Sequence, residues 1–508
     1  MQKKTWALLS LLLFKIILQF LLVRPVYELH RDEYLHLDQG RHLAFGYISV
    51  PPVTSWFSAL IRLFGNSEFL VRLVPALFGA LTLYLVWKIV EELKGGLFAC
   101  WLASLSLLFS ILLRINMLYQ PSSLDVFFWT MTYFVLINYS NTQKPVWLYG
   151  LGITVAFGFL SKYNILFLLA GLFPALLLTE HRRMFTNKHL YFAALIAVLI
   201  VSPNLYWQYQ NHFPTLAQLR ELAQSQLVNV NRFDFLKDQV LFFLSSIFVL
   251  IAGFVGLIVF PPFRPYRFVV FSFVIAMCLF LYFKAKNYYT VGLYPVLLSI
   301  GAVYLERLLA NGWRRTLRPV SIGLLLVLAV PFLWLAFPIY RPAHYASHPQ
   351  PYKDIGALRW EDGKNHQLPQ DYADMLGWKE LARKTDSIYR QLADKEHTLV
   401  LCDNYGQAGA INYYSAFPSI HAVSFNADYI YWIPLDQPIR NAILVKETDD
   451  EDPTRSEEKA LFQRVVTGGA IENPFAREKG TRIYLLQGAI ADINRRVREE
   501  QLSRLPHY

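Results

Sequence analysis

A polytopic α-helical membrane protein with a C-terminal α/β domain is the fold class this sequence predicts, and three observations predict it. Of 508 residues, 55% are hydrophobic and only 17% charged, with a mean hydropathy of +0.30, a combination that soluble domains rarely show. Up to about residue 338 the apolar residues gather into runs of roughly 17–24 residues, long enough to cross a ~30 Å hydrocarbon core. Beyond residue 340 the composition becomes that of an ordinary soluble domain. The expected division is a membrane domain over 1–338, a linker over 339–376 and a soluble α/β domain over 377–508.

Eleven spans are expected, near 6–23, 69–90, 96–113, 122–139, 146–161, 164–180, 189–205, 240–260, 267–283, 289–306 and 318–337. The first follows Lys3 and Lys4, has no small-residue cleavage site and runs into Arg24-Pro25, so it reads as an uncleaved signal-anchor. A long, structured outer loop covers 24–68. Within it, 33–47 predicts an amphipathic helix on the membrane surface, with Tyr34, Leu37, Leu43 and Phe45 turned to lipid. Pro51-Pro52 ends it, and a second short helix runs from Val53 to Phe64. A second long outer loop, 206–239, opens with the aromatics Tyr206, Trp207 and Tyr209, which suit the interfacial belt.

The C-terminal pattern predicts a helix at 377–393, strand 397–402, helix 406–415, strands 420–425 and 440–446, helix 456–465, strand 481–486 and helix 488–502. This alternation implies a small, mostly parallel sheet covered by helices. No Gly-rich phosphate loop precedes any of these helices.

Basic loops set the orientation. With the N-terminus inside, the inward loops hold Lys94, Lys144, Arg182, Arg183, Lys188, Arg264, Arg267, Arg307, Arg314, Arg315 and Arg318. An odd number of spans then puts the C-terminal domain outside, on a multi-pass protein of the inner or plasma membrane. The net charge of +11 is no nucleic-acid signature, because residues 341–508 carry about −3 and the membrane half holds the excess. Cys100, Cys278 and Cys402 make no disulfide framework.

The residues that could carry chemistry lie on the outer face. Asp32 and Glu33 sit in a polar cluster with His30, Arg31, His36 and Asp38, between two apolar stretches. Charge beside lipid is costly. Two acids after a span also suit a solvated loop, but as chemistry one carboxylate could take the proton of an acceptor hydroxyl while a sugar leaves its phosphate. Asp125 stands at the outer mouth of a span. There it could orient an acceptor, or simply favour a helix N-terminus capped by Ser122 or Ser123. Lys162, Lys284 and Lys286 face outward, against the positive-inside bias, beside Tyr163, Tyr288 and Tyr289. Ammonium groups and tyrosines at the boundary suit a lipid phosphate. Arg31, His36, Arg220 and Arg232 are secondary candidates. No metal motif occurs: His30 and His36 are six apart, and there is neither HExxH nor a paired-Cys spacing. No cofactor is implied. A divalent cation on Asp32 or Asp125 is compatible with the pattern but not signalled by it.

The segment Asp32-Glu33-Tyr34-Leu35, Gly40 to Tyr47 and Pro51-Pro52 resembles the first outer loop of glycosyltransferase family 39 and its relatives. These include the protein O-mannosyltransferases and the bacterial aminoarabinose transferase of lipid A. Ser161-Lys162-Tyr163, Lys286-Asn287-Tyr288-Tyr289, Gly377-Trp378 and Tyr405-Gly406-Gln407-Ala408-Gly409-Ala410 resemble the bacterial branch. The resemblance implies a GT-C fold, a polyprenyl-phosphate sugar donor and inversion at the anomeric carbon. It also implies a cavity on the non-cytoplasmic face. Carried over, Asp32 is the base, Glu33 its partner and Asp125 a second acid, with the lysines on the donor phosphate. Val50 stands where many bacterial members have His before the Pro-Pro pair, so the acceptor can differ.

The expected function is transfer of a sugar from a polyprenyl-phosphate donor to a lipid, glycan or protein acceptor at the outer membrane face, without nucleic acid. The rivals are a flippase of lipid-linked sugars and a non-catalytic assembly subunit. A flippase would gather charges at mid-bilayer on broken helices, often in two related halves; here they gather in outer loops.

Overall fold

A computed structural model describes residues 2–225, 227–450, 452 and 454–505. The chain is a polytopic α-helical membrane protein carrying a C-terminal β-sheet region. Among the described residues, five helices are long and apolar enough to cross a bilayer: Lys3–Leu21, Glu68–Glu92, Lys188–Gln210, Asn287–Leu308 and Gly312–Ala336. Two bent pairs, Ile165–Leu177 with Glu180–Thr186 and Arg232–Leu241 with Leu244–Val259, raise this to seven. The expected count of eleven is not met on this measure, for two physical reasons. Leu97–Leu108, Val146–Ser161 and Phe268–Tyr282 have only 12, 16 and 15 residues, short of the ~20 a bilayer requires. Pro121–Thr142 is long enough, but it buries Ser122, Ser123, Asp125, Thr130, Thr132 and Asn138 inside the bundle. A helix wrapped by other helices need not be apolar all round.

The 31–39 stretch is helical, but it does not lie on lipid as expected. Leu43 and Phe45 are exposed, whereas Tyr34 and Leu37 are buried. Their cover is the helix Tyr405–Tyr414 of the C-terminal region. Tyr34 packs edge-on against Trp378 and Tyr414, with ring centres 5.7 and 5.8 Å away. A glycine makes the approach close: a Cβ on Gly409 would lie 2.6 Å from the Tyr34 Cβ. Polar ties lock the seam. Asp38 accepts from Asn412 and Tyr429, both at 2.7 Å, and Glu28 accepts the backbone N–H of Trp378 at 2.7 Å.

The sheet has five strands: β1 (Thr398–Cys402), β2 (Ala422–Ser424), β3 (Asn441–Lys446), β4 (Phe462–Ala470) and β5 (Arg482–Ala489). Their order is β2-β1-β3-β5-β4. β1 is parallel to both neighbours, while β5 is antiparallel to β3 and β4, so the sheet is mixed rather than mostly parallel. The expected helix at 456–465 is only Ser456–Lys459. From Phe462 the β-branched run Val465-Val466-Thr467 pairs with β5, and a register shift between Thr467 and Gly469 absorbs the glycine pair. Because β1 lies between strands reached by opposite crossovers, its C-terminal end and that of β3 open onto a crevice. Residues 403–405 and 447–449 of those ends line the cavity described next.

Candidate active site

A cavity of about 1740 Å³ lies between ends of the membrane helices and the C-terminal region. Its lining includes apolar side chains, among them Leu166, Phe167, Leu219, Leu222, Phe242 and Phe332, and polar ones, among them Asp32.

The helix Arg31–Gln39 begins with a capping box, and that box separates the two acids. Consecutive helical residues point about 100° apart, so Asp32 and Glu33 cannot share one face. Glu33 turns inward: its two oxygens accept the N–H of His30 at 2.5 Å and of Tyr119 at 2.6 Å. It is a buried brace between the outer loop and the segment before the Pro121 helix, and the two residues are not a carboxylate pair in the cavity. Burial raises its pKa.

Asp32 faces the cavity, its side chain 36% exposed. One oxygen accepts the Tyr405 hydroxyl at 2.6 Å, the other the Gln120 amide at 2.9 Å. Burial works to raise its pKa, but the charges of His30 and Arg31 and the Tyr405 bond outweigh it and hold it at about 2. Asp32 is therefore ionised at neutral pH. An anion entering the same cavity would make it a stronger base.

Asp125 is buried behind the wall. One oxygen accepts from Asn164 at 2.8 Å, and Asn164 also donates to the Tyr289 carbonyl at 3.0 Å. Asp125 thus ties together the two segments that carry Lys162 and Tyr289. Neither Ser122 nor Ser123 caps the helix; Gln120 is the N-cap, without a side-chain cap bond. Lys162, Tyr163, Lys286, Tyr288 and Tyr289 all line the cavity. The Lys162 ammonium lies 4.3 Å from the Tyr289 ring centre and 5.2 Å from that of Tyr288, and it donates to Ser122 at 3.1 Å. Tyr163 is held by Asn204 and Gln208, each at 3.1 Å. Lys286 is already paired, 2.7 Å from Glu361. Burial disfavours its charge, but Glu361 more than compensates and its pKa is raised.

The remaining sequence candidates divide. Arg31 stacks on Tyr405, 4.6 Å from the ring centre, and its buried Nε has no hydrogen-bond partner among the described residues. His36 is on the wall, bonded to Gln39 at 3.1 Å, and burial lowers its pKa. Lys284 adopts a left-handed backbone (φ 50°) and does not line the cavity, nor do Arg220 and Arg232. Arg220 is exposed, and Arg232 donates to the Leu281 carbonyl at 2.9 Å.

Sequence reasoning missed several wall residues. Arg114 pairs with Asp371 at 2.8 Å, and Arg477 with Asp374 at 3.3 Å. His30 Nε2 sits between those acids, 3.8 and 3.6 Å away. Arg114 meets the same outward-cation criterion as the lysines and was legible on it. Tyr405 lay in a motif already singled out, but nothing local in the sequence aims it at Asp32. Among the described residues, no three His, Cys, Asp or Glu side chains are grouped to hold a metal ion.

With this geometry in hand, the chain can be compared with known proteins. Residues 49–207 match the family described as dolichyl-phosphate-mannose-protein mannosyltransferase. A lipid A galacturonosyltransferase of Rhizobium johnstonii, RgtD, is 23% identical over 202 residues, 39% of this chain, and the chain spans 42% of that relative's length. ArnT from Cupriavidus metallidurans, solved bound to undecaprenyl phosphate, superposes with a TM-score of 0.64 at 15% identity, over 95% of this chain and 97% of that one. The oligosaccharyltransferase of Archaeoglobus fulgidus gives 0.50 at 12% identity, covering 86% of this chain and 68% of its own. Nearly the whole length of the chain therefore carries the GT-C fold that ArnT and the archaeal oligosaccharyltransferase share.

Proposed function

We propose that this protein is an integral membrane glycosyltransferase. It moves a sugar from a polyprenyl-phosphate carrier to a lipid, glycan or protein acceptor at the extracytoplasmic face, with inversion. The observation that carries the reading is the mixed lining of one large cavity: apolar side chains suited to a prenyl chain, together with Asp32, Lys162 and the Tyr288-Tyr289 pair.

In this reaction the donor phosphate lies against Lys162, and Lys286 joins it by exchanging Glu361 for the phosphate. The acceptor hydroxyl attacks the anomeric carbon from the side opposite the phosphate. Its proton passes to Asp32, the new glycosidic bond forms, and the bond from carbon to phosphate oxygen breaks. Polyprenyl phosphate departs as an anion and needs no proton. Positioning and stabilisation of that developing charge supply most of the barrier reduction. Asp125 acts through Asn164, holding the Lys162 and Tyr289 segments in register.

The same reading takes all eleven expected runs as passes. Leu97–Leu108, Val146–Ser161 and Phe268–Tyr282 span as short helices and Pro121–Thr142 as an internal one, beside the seven long or bent spans. Residues 339–376 form the linker, and 377–508 an extracytoplasmic domain. The basic loop with Arg182, Arg183 and Lys188 supports this orientation, since such clusters resist translocation. A cysteine replacing Ser456 is expected to react with a membrane-impermeant thiol reagent in intact cells. Labelling only after permeabilisation would reverse the orientation and move the cavity to the wrong face.

The function is tested by placing the purified protein in liposomes with lipid A and undecaprenyl phosphate linked to mannose, galacturonic acid or aminoarabinose. Release of undecaprenyl phosphate together with glycosylated lipid A is the expected result for one of the three. If every donor crosses the bilayer with its sugar-phosphate bond intact, the protein is a flippase instead.

A further inference from the structure

The membrane half of the chain holds the carboxylate, but it does not hold it alone. Gln120 fixes one oxygen of Asp32 from within that half. The other oxygen is bonded to a hydroxyl 373 residues away in sequence, at 2.6 Å. We infer that Tyr405 of the C-terminal region is a positioning residue for the transfer reaction, its hydroxyl fixing the Asp32 carboxylate so that the free lone pair of that oxygen meets the acceptor. This rests on the reading of Asp32 as the base.

Three features build the contact. Asn404 caps the helix Tyr405–Tyr414 through the N–H of Gln407 at 3.0 Å, which sets the direction of its first residue. Gly409 brings that helix against the Arg31–Gln39 helix more closely than a side chain would allow. The Arg31 guanidinium covers the Tyr405 ring and keeps it in its rotamer. Held at both oxygens, Asp32 is left few side-chain orientations. Preorganisation of that kind lowers an activation barrier without strengthening substrate binding.

Tyr405 also sets the basicity of Asp32. The groups that act on this carboxylate are His30, Arg31 and His36 on its own segment and Tyr405 opposite. Lys286 and Tyr288 face it from the 286–289 segment, and Glu361 and Asp374 from the linker. Only Tyr405 and Gln120 donate side-chain hydrogen bonds to it among the described residues. Removing the hydroxyl withdraws stabilisation of the ionised form, so the carboxylate protonates more readily.

The experiment uses the full-length protein in the liposome assay with the same three undecaprenyl-phosphate sugars. Tyr405→Phe retains the ring, the Arg31 stack and the glycine seam. It is expected to lower kcat about tenfold, the scale of one charge-assisted hydrogen bond. KM for the donor and binding of plain undecaprenyl phosphate should be unchanged. The acid limb of kcat, which Asp32 sets from about pH 2 upwards in the parent, should move to higher pH. A parent-like kcat and limb in Tyr405→Phe overturns the inference while leaving the function standing. So does loss of undecaprenyl phosphate binding, because the hydroxyl is assigned no part in it. An active Asp32→Asn in the same assay overturns the reading of the base itself, which separates the two failures.

Discussion

Asp32→Asn is expected to abolish all but about one part in a hundred of the turnover, the ordinary consequence of losing a general base. The amide keeps the size of the carboxylate but cannot take the acceptor's proton. Binding of undecaprenyl phosphate should survive, since Lys162 and the two tyrosines lie on other segments. Near-normal turnover in the purified variant would sink the assignment and point to an acceptor that is already ionised. Glu33→Gln separates the neighbours. Its oxygens serve the backbone of His30 and Tyr119, and the amide leaves one buried N–H facing a donor. The loss should appear as about 1–3 kcal/mol of stability rather than as a comparable loss of kcat at permissive temperature. Equal losses of kcat in the two variants would contradict this division of roles.

Lys162→Ala is expected to weaken undecaprenyl phosphate binding roughly ten- to hundredfold, the equivalent of about 1.5–3 kcal/mol for a charge-assisted hydrogen bond. Lys162→Arg should restore it only in part, because a planar fork does not replace a compact ammonium held between Ser122 and the face of Tyr289. Sequence position alone ranks Lys286 first, for its closeness to the Asn-Tyr-Tyr cluster. The ion pair with Glu361 reverses that order, since a phosphate gains from Lys286 only what it can win from the carboxylate. Lys286→Ala should therefore cost less than Lys162→Ala, and Lys284→Ala nothing measurable. Equilibrium binding of labelled undecaprenyl phosphate checks all three. Parent-like affinity in both cavity variants would shift the phosphate site towards Arg114, which lines the same cavity.

What the sequence reveals of this site is what its local chemistry can encode. Asp32, Lys162 and Lys286 stand out because a charge at a membrane boundary needs a reason, and each of them lines the cavity. The helical rotation that separates Asp32 from Glu33 is also local, but reading two adjacent acids as a pair ignores it. The lipid-facing surface assigned to Tyr34 and Leu37 fails for a different cause. Their apolar character shows that they are buried, not against what, and the partner helix begins at residue 405. Tyr405 itself is invisible in isolation, since its role rests on a glycine-mediated contact between distant segments. The β4 strand was missed because the charged run Glu457-Glu458-Lys459 resembles a helix, whereas the decisive pairing comes from β5.

The seam between the Arg31–Gln39 helix and the Tyr405–Tyr414 helix also has a meaning in time. A ribosome makes residue 32 long before residue 405, so the growing chain threads its spans into the bilayer while Asp32 still lacks the hydroxyl that aims it. Until the last part of the polypeptide has folded back on the first, that carboxylate stands unaimed, and on the proposed function the final act of biosynthesis is to arm the site.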